Sequence, residues 1–349
     1  MKILHIDTEK TWRGGEQQVL YLACGLRDRG HESTIVCQPG SPLAERAKAA
    51  GIAVEELRMR GGVDPKAVLH IAKMIRKGYD ILHLHTSNAH TIGYLASLFA
   101  GRAKVVVSRR VSFPLKGFFR RLKYKGADRI IAVSEGVRRE MINSGIDPDA
   151  VVTVHSAIDA SRYKKRESEP ARPVVGIIAH LAEHKGHRYF FEAAKEVAAV
   201  IPDVNFLVVG EGEMRTELEE YVRSLGVGER TVFAGFQKDV AKMISQCTIT
   251  VLSSISGEGS PGVLKESMAA GIPAITTDVG GSREVVEDGV TGIVIPPMDS
   301  KALASAMIRL LKDGGLRERM GGAGIMKVQE FTPENMVTKT EAVYKDLLK

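Results

Sequence analysis

The sequence predicts an α/β protein built from two parallel-sheet domains in series, and three observations carry that expectation. Short β-branched apolar runs alternate with longer amphipathic stretches, the pattern of repeated strand–helix–strand units. The runs are apolar along their whole length, as in strands covered by helices on both faces. They also fall into two series, separated at 161–173 by a charged segment with two prolines and no apolar periodicity. A chain of 349 residues exceeds one ordinary core and suits two.

In the first series, strands are expected at 3–6, 33–38, 81–85, 105–108, 129–133 and 151–155, with a weaker one at 53–57. In the second they are expected at 174–179, 206–209, 231–234, 249–252, 274–277 and 293–295. Near the end, Thr332-Pro333-Glu334 offers an N-cap followed by proline at the first helical position. Met336, Val343, Tyr344 and Leu347 then share one face of a closing helix. The reading is thus a Rossmann-like domain over 1–165, a second over 166–330, and a helix at 331–349 that returns to the first.

Composition narrows the class. An apolar share of 44% with 26% charged residues is globular rather than disordered. No apolar run approaches the ~20 residues of a membrane span. The opening MKILHIDTEK has a lysine but no apolar core or cleavage site of a signal peptide, so a cytoplasmic location is expected. Cys24, Cys37 and Cys247 have no paired spacing and sit in apolar stretches, as small buried hydrophobes do. Charge is uneven: residues 1–165 carry 28 basic and 16 acidic side chains, a net +12, whereas residues 166–349 carry 21 and 26, a net −5. The first half is expected to meet something anionic, either nucleic acid or anionic lipid on this evidence alone.

The densest chemistry is Glu258-Gly-Ser-Pro-Gly-Val-Leu-Lys-Glu266, directly after the strand that leads into Ser253-Ser254. A Gly/Ser/Pro loop at the carboxyl end of a parallel strand, opening a helix, is where such sheets bind ligands. Unpaired N–H groups at the helix start favour a phosphate there. The two carboxylates would repel phosphate, so they are expected to face sugar or ribose hydroxyls; alternatively they only favour the helix start. The loop is not a P-loop, because Val263-Leu264 stands where Lys-Ser/Thr is required. Gly210-Glu-Gly212 lacks the third glycine of a dinucleotide fingerprint, which argues against a dehydrogenase.

The same E-x7-E loop is followed by Met268-Ala-Ala-Gly-Ile-Pro273, Thr277-Asp278-Val-Gly-Gly281 and Asp288-Gly-x-x-Gly292. With Gly14-Gly15-Glu16, Ala127-Asp-Arg-Ile-Ile-Ala-Val-Ser134, Val209-Gly-Glu-Gly212 and Phe233-Ala-Gly-Phe236, the chain closely resembles the family-four retaining glycosyltransferases over nearly its whole length. The resemblance implies the GT-B fold, two Rossmann-like domains facing across a cleft. It also implies transfer of a sugar from a nucleotide sugar, a UDP-sugar by preference, to a glycolipid or glycan acceptor. No metal or other cofactor is implied, and nucleic acid is not an implied partner. Glu266 would hold the ribose and Glu258 the sugar hydroxyls, while Gly259, Ser260, Pro261, Gly262 and Val263 would meet the pyrophosphate or sugar. Lys185, in Glu183-His-Lys-Gly186, matches the lysine that neutralises the leaving diphosphate. Gly14 and Gly15 would let the backbone approach the donor, and His85 would touch sugar or acceptor. A tight turn and a structural histidine are the plainer readings of these last residues.

Two positions depart from the family. His180 stands where an arginine usually joins the lysine on the pyrophosphate, and an imidazole cannot make the bidentate fork. Ser108-Arg109-Arg110 replaces a common histidine, so Arg109 or Arg110 is expected to grip an anionic acceptor. Between residues 102 and 125 there are nine basic and no acidic residues, interleaved with Phe113, Leu115, Phe118, Phe119 and Leu122. Leu115, Phe118, Phe119 and Leu122 fit one helical face, with Lys116, Arg120 and Arg121 beside them. This reads either as a peripheral anchor on an anionic membrane surface or as a helix packed on its own domain. The alternatives to a transferase are a same-fold epimerase or phosphorylase and a non-catalytic nucleotide-sugar or nucleic-acid binder.

Overall fold

The computed structural model describes residues 1–349 except Arg102, Lys116 and Glu167, and except the side chains of Phe118, Phe119 and Arg120. The chain forms two compact units, Met1–Ala157 with Pro333–Lys349, and Ile158–Thr332. The crossing lies earlier than the charged segment suggested. Ile158 already packs with Leu252 and Leu264 of the second unit, and its N–H donates to the Phe331 carbonyl at 2.8 Å. The charge run at 164–166 follows the first residues of the second unit instead of separating the two.

Among the described residues the first unit holds seven strands: β1 (Lys2–Ile6), β2 (Glu32–Cys37), β3 (Ala53–Glu56), β4 (Ile81–Leu84), β5 (Lys104–Arg109), β6 (Arg129–Ala132) and β7 (Val151–Thr153). All pair in parallel in the order β3-β2-β1-β4-β5-β6-β7. Successive side chains alternate between faces, and both faces are apolar. Leu4, Ile6, Leu82 and Leu84 enter one core cluster, while Ile3, Ile81 and Val106 enter another. That is why these strands show no polar alternation. Helix starts follow cap residues: Ser41 before Pro42, Asp64 before Pro65, Thr86 bonding the Ala89 N–H, and Ser134 bonding the Val137 N–H. The closing helix, Pro333–Leu347, adds Met336, Val337 and Tyr344 to the cluster of Ile3, Leu22 and Leu26.

Among the described residues the second unit holds six parallel strands: β8 (Val174–Ile178), β9 (Asn205–Val209), β10 (Thr231–Gly235), β11 (Ile249–Leu252), β12 (Ala274–Thr277) and β13 (Gly292–Ile295). Their order is β10-β9-β8-β11-β12-β13. Both sheets therefore reverse direction of winding once, between β1 and β4 and between β8 and β11. Such switch points open a crevice at the carboxyl ends of the strands, and ligands bind there in open α/β sheets.

Candidate active site

In the second unit the residues after β8 and those after β11 meet at the switch point. Lys185 ends a short turn after β8, and Glu258 lies in the loop after β11. Although 73 positions apart, they join through a 2.6 Å bond from Lys185 Nζ to Glu258 Oε1. The lysine side chain is 21% exposed and the carboxylate 7%, so the pair sits just below the surface. Ser254 donates its hydroxyl to the same carboxylate oxygen. The two segments are stitched further by Ser253 Oγ donating to the Lys185 and Gly186 carbonyls, at 3.2 and 3.1 Å, and by the Ile255 N–H donating to the His184 carbonyl at 2.8 Å. Gly186 makes that approach feasible: its φ is +67°, and a Cβ there would lie 2.1 Å from the Ser253 carbonyl oxygen.

Gly259 and Pro261 are buried, Ser260 and Val263 half-buried, and Gly262 exposed at the first turn of the helix Gly262–Ala269. Glu266 stands one turn inside that helix, with its Oε1 3.9 Å from where a Cβ on Gly262 would be. Burial pushes the Glu266 carboxyl up, while the Tyr163 hydroxyl and the Arg162 charge oppose the shift. His180 follows β8 with half its side chain exposed, and its Nε2 lies 3.3 Å from Glu213. A carboxylate thus already faces the imidazole that replaces the usual arginine.

Lys265 was not singled out from the sequence. It is 1% exposed, donates from Nζ to Ser260 Oγ at 2.7 Å, and lies 4.7 Å from the centre of the Phe331 ring. Burial pulls its pKa down to about 7. The one signal was its place directly after Val263-Leu264 in the helix that also carries Glu266.

At the switch point of the first unit, Gly14 and Gly15 open the helix Gly14–Asp28, whose start is pinned by Glu16 accepting from the Arg13 N–H at 2.6 Å. Arg110 lies beneath this turn, its Cδ 3.8 Å from where a Gly15 side chain would begin. It donates to His85 Nδ1 at 3.4 Å, and Asp7 and Glu16 supply the compensating negative charge. Arginine has no acceptor, so His85 keeps its proton on Nε2 and donates it to His5 Nδ1 at 3.1 Å. Both nitrogens of His85 are therefore committed inward, and the substrate contact expected of it is not offered. Burial holds His5, His83 and His85 neutral, with His5 down to about 3.

One ring nitrogen from each of His5, His83 and His85 lies within 4.8 Å of the others, close enough to suggest a cation site. However, His83 is bonded to Tyr344 at 2.5 Å and to Ser108 at 2.8 Å, and Arg110 adds positive charge. Asp7 was invisible in the sequence as a site residue; it is 1% exposed, and burial pushes its carboxyl up to about 7.

The basic segment needs correction. Arg109 does not reach outward: its guanidinium donates to the Phe113 carbonyl at 2.5 Å and to the Tyr124 hydroxyl at 3.4 Å. The helix spans Phe118–Lys125, so Leu115 lies before it, and Leu115 is buried at 4% while Leu122 is 46% exposed. The expected single apolar face is divided, because Leu115 and Tyr124 fill the core. Arg121 is exposed. Lys116 and the side chains of Phe118, Phe119 and Arg120 lie outside the described residues. Cys37 and Cys247 are buried as expected, and burial pushes them up to about 11 and about 12, whereas Cys24 is only half-buried.

Residues 159–326 match the model for glycosyl transferases group 1, and residues 12–162 match the model for glycosyltransferase family 4. The N-acetyl-alpha-D-glucosaminyl L-malate synthase of Bacillus anthracis is 30% identical over 292 residues, spanning 78% of this chain and 76% of that protein. The chain belongs to glycosyltransferase family 4. This glycosyltransferase is also 27% identical over 333 residues to the lipopolysaccharide core biosynthesis glycosyltransferase LpsE of Rhizobium meliloti, spanning 93% of each. Among solved structures, Anabaena Alr3699/HepE in complex with UDP-glucose superposes with a TM-score of 0.87 at 22% identity, covering 99% of this chain and 100% of that one. That likeness gives the fold, GT-B.

Proposed function

We propose that this glycosyltransferase moves a hexosyl or N-acetylhexosaminyl group from a UDP-sugar to a glycolipid or glycan acceptor, with retention of anomeric configuration, as in lipopolysaccharide or exopolysaccharide synthesis. The observation that carries the reading is the Lys185–Glu258 pair beside the helix start at Gly262, at the switch point of the second sheet. Breaking the anomeric C–O bond leaves its electron pair on the diphosphate. A fixed ammonium and helix-terminal N–H groups stabilise that charge more in the transition state than before it. The new C–O bond forms to the acceptor hydroxyl, whose proton departs with the diphosphate.

Glu258 orients the lysine and accepts sugar hydroxyls on its remaining oxygen lone pairs, and Glu266 accepts the ribose hydroxyls. Lys185 and the peptide dipoles supply the positive potential, so no divalent metal is needed in this scheme. The UDP-glucose complex of the structural neighbour and the lipopolysaccharide role of LpsE support the donor and acceptor classes. Among the described residues no helix is long and apolar enough to cross a membrane. A glycolipid acceptor would therefore be met at the surface of the bilayer, with the basic first unit docking there.

The test is UDP release from a panel of UDP-sugars with the product anomer read by NMR. Activity should survive EDTA, and Glu258→Gln should lower turnover about 100-fold with the fold retained. Near wild-type rates in Glu258→Gln, or magnesium-reversible loss in EDTA, would refute the site assignment.

A further inference from the structure

The first unit contains an open hollow of about 810 Å³ at the carboxyl ends of β1, β2 and β3, separate from the histidine cluster. Three of its lining residues, Thr8, Gln38 and Met59, are buried and bonded to one another. Gln38, 5% exposed, donates to the Met59 carbonyl at 2.7 Å and the Thr8 carbonyl at 3.3 Å, and accepts from the Met59 N–H at 3.2 Å. These bonds lock the segments that follow β1 and β3 against the end of β2. Lys10 and Arg13, from the segment after β1, and Arg58 and Arg60, from the segment after β3, all line the hollow. Asn88, in the first turn of the 14-residue helix Ser87–Ala100, also lines the hollow.

Against four cations the lining offers a single carboxylate, Glu9. Among the described residues none of the four cationic side chains forms an ion pair within 4 Å, although the Arg60 charge also acts on nearby Asp64, whereas Arg27, Arg29, Arg129 and Arg138 elsewhere on this unit each do. Four like charges lining one concavity, with a single carboxylate in the lining, repel one another until an anion enters. Two arginines from one short segment can each fork onto a pair of oxygens.

We infer that this hollow is an acceptor subsite for a doubly charged oxyanion, a phosphate monoester or a dicarboxylate, held by Arg58, Arg60, Lys10 and Arg13. The inference rests on the reading that the first unit receives the acceptor, and it makes that acceptor anionic. A volume of about 810 Å³ admits a small phosphorylated or dicarboxylic molecule, or the headgroup of a lipid. Arg109 and Arg110 are tied up inside the unit, so the task expected of them in the sequence falls to these other cations.

The single tryptophan, Trp12, lies between the lining residues Thr11 and Arg13 and stacks on Arg46 at 4.2 Å, so its fluorescence reports on the neighbourhood of this hollow. Glycerol 3-phosphate, succinate, short-chain phosphatidate and the uncharged control glycerol would be titrated at constant ionic strength, with binding read by Trp12 fluorescence and by calorimetry. A saturable response to at least one anion and none to glycerol is expected. Phosphatidate binding more tightly than glycerol 3-phosphate would point to a lipid headgroup, and the reverse to a free metabolite.

Arg58→Ala with Arg60→Ala should raise the half-saturating concentration at least tenfold, and Arg58→Lys with Arg60→Lys should recover part of it. Both arginines are exposed, so the fold should persist, as an unchanged UDP-induced rise in melting temperature would show. An equal response in the double alanine variant, or none to any anion in the wild type, would overturn the inference. A wild type that binds the anions through these arginines but gains nothing from UDP would overturn the donor reading and leave this one standing.

Discussion

Lys265 shows how a single residue trades stability for position. Its ammonium is buried against Phe331 and held by Ser260, and burial brings its pKa down from 10.5 to about 7. The unfolded chain keeps its proton up to about 10.5, while the folded chain loses it near 7. Stability therefore rises with pH across that window, because the unfolded state there binds the extra proton. Below pH 7 both states are charged and the cost of burying the charge is fully felt. Urea unfolding of wild type and Lys265→Met should thus diverge with pH. The wild type should gain relative to the variant between pH 7 and 10, and parallel profiles would show that the lysine does not titrate there. Lys185 and Glu258 illustrate the complementary case. Each was legible by its motif, but their bond was not, since pairing across 73 positions depends on which strands lie side by side.

Gly186 belongs to the scale of elements, because it lets the turn after β8 close onto the segment after β11. A Cβ there meets the Ser253 carbonyl carbon at 3.1 Å as well as its oxygen at 2.1 Å, and both are backbone atoms that cannot swing away. Gly226 has a similar φ of +76° but nothing within 4 Å of its would-be Cβ. Gly226→Ala should then cost only the left-handed strain, about 1 kcal/mol. Gly186→Ala should cost about 3 kcal/mol or more, since it adds displacement of a strand end to that strain. Turnover should also fall in Gly186→Ala, because Lys185 moves with the turn. Thermal melts and steady-state rates of the two variants would check this, and equal costs would mean that the two segments are not rigidly joined. A comparable close approach occurs in the first unit, where a Cβ on Gly25 would sit 2.5 Å from Val337 of the closing helix. That contact helps explain why a helix from the far end of the sequence completes the first core.

At the scale of the whole molecule, the charge split is the property with the clearest consequence. Residues 1–165 carry a net +12 and residues 166–349 a net −5. If the first unit meets an anionic bilayer, each cation near the surface contributes roughly 1 kcal/mol, and the contribution falls within a Debye length. Exposed Leu98, Phe99 and Leu122 offer apolar groups on the same unit, at 62%, 60% and 46% exposure. Flotation on liposomes should accordingly require anionic lipid and weaken with salt. Arg121→Glu with Lys125→Glu, both at exposed positions, should release the protein without unfolding it. Equal flotation on neutral liposomes would remove the electrostatic account.

The alternation of apolar runs and amphipathic stretches determined the fold class, because a strand buried on both faces must be apolar throughout. The thirteen strands among the described residues were readable from it to within a residue or two, including the short edge strand β3. The E-x7-E loop and Lys185 were readable because their motif is local. The tertiary structure alone decided what converges from distant segments. It turned His85 inward by placing Arg110 and His5 against it, bound Arg109 into its own loop, and buried Leu115 apart from Leu122. It also gathered Lys10, Arg13, Arg58 and Arg60 around one hollow, because Gln38 ties three strand ends together. Periodicity reports which face a side chain takes within its own element. Which charge meets which partner depends on the order of strands in the sheet, and that order is a property of the folded chain.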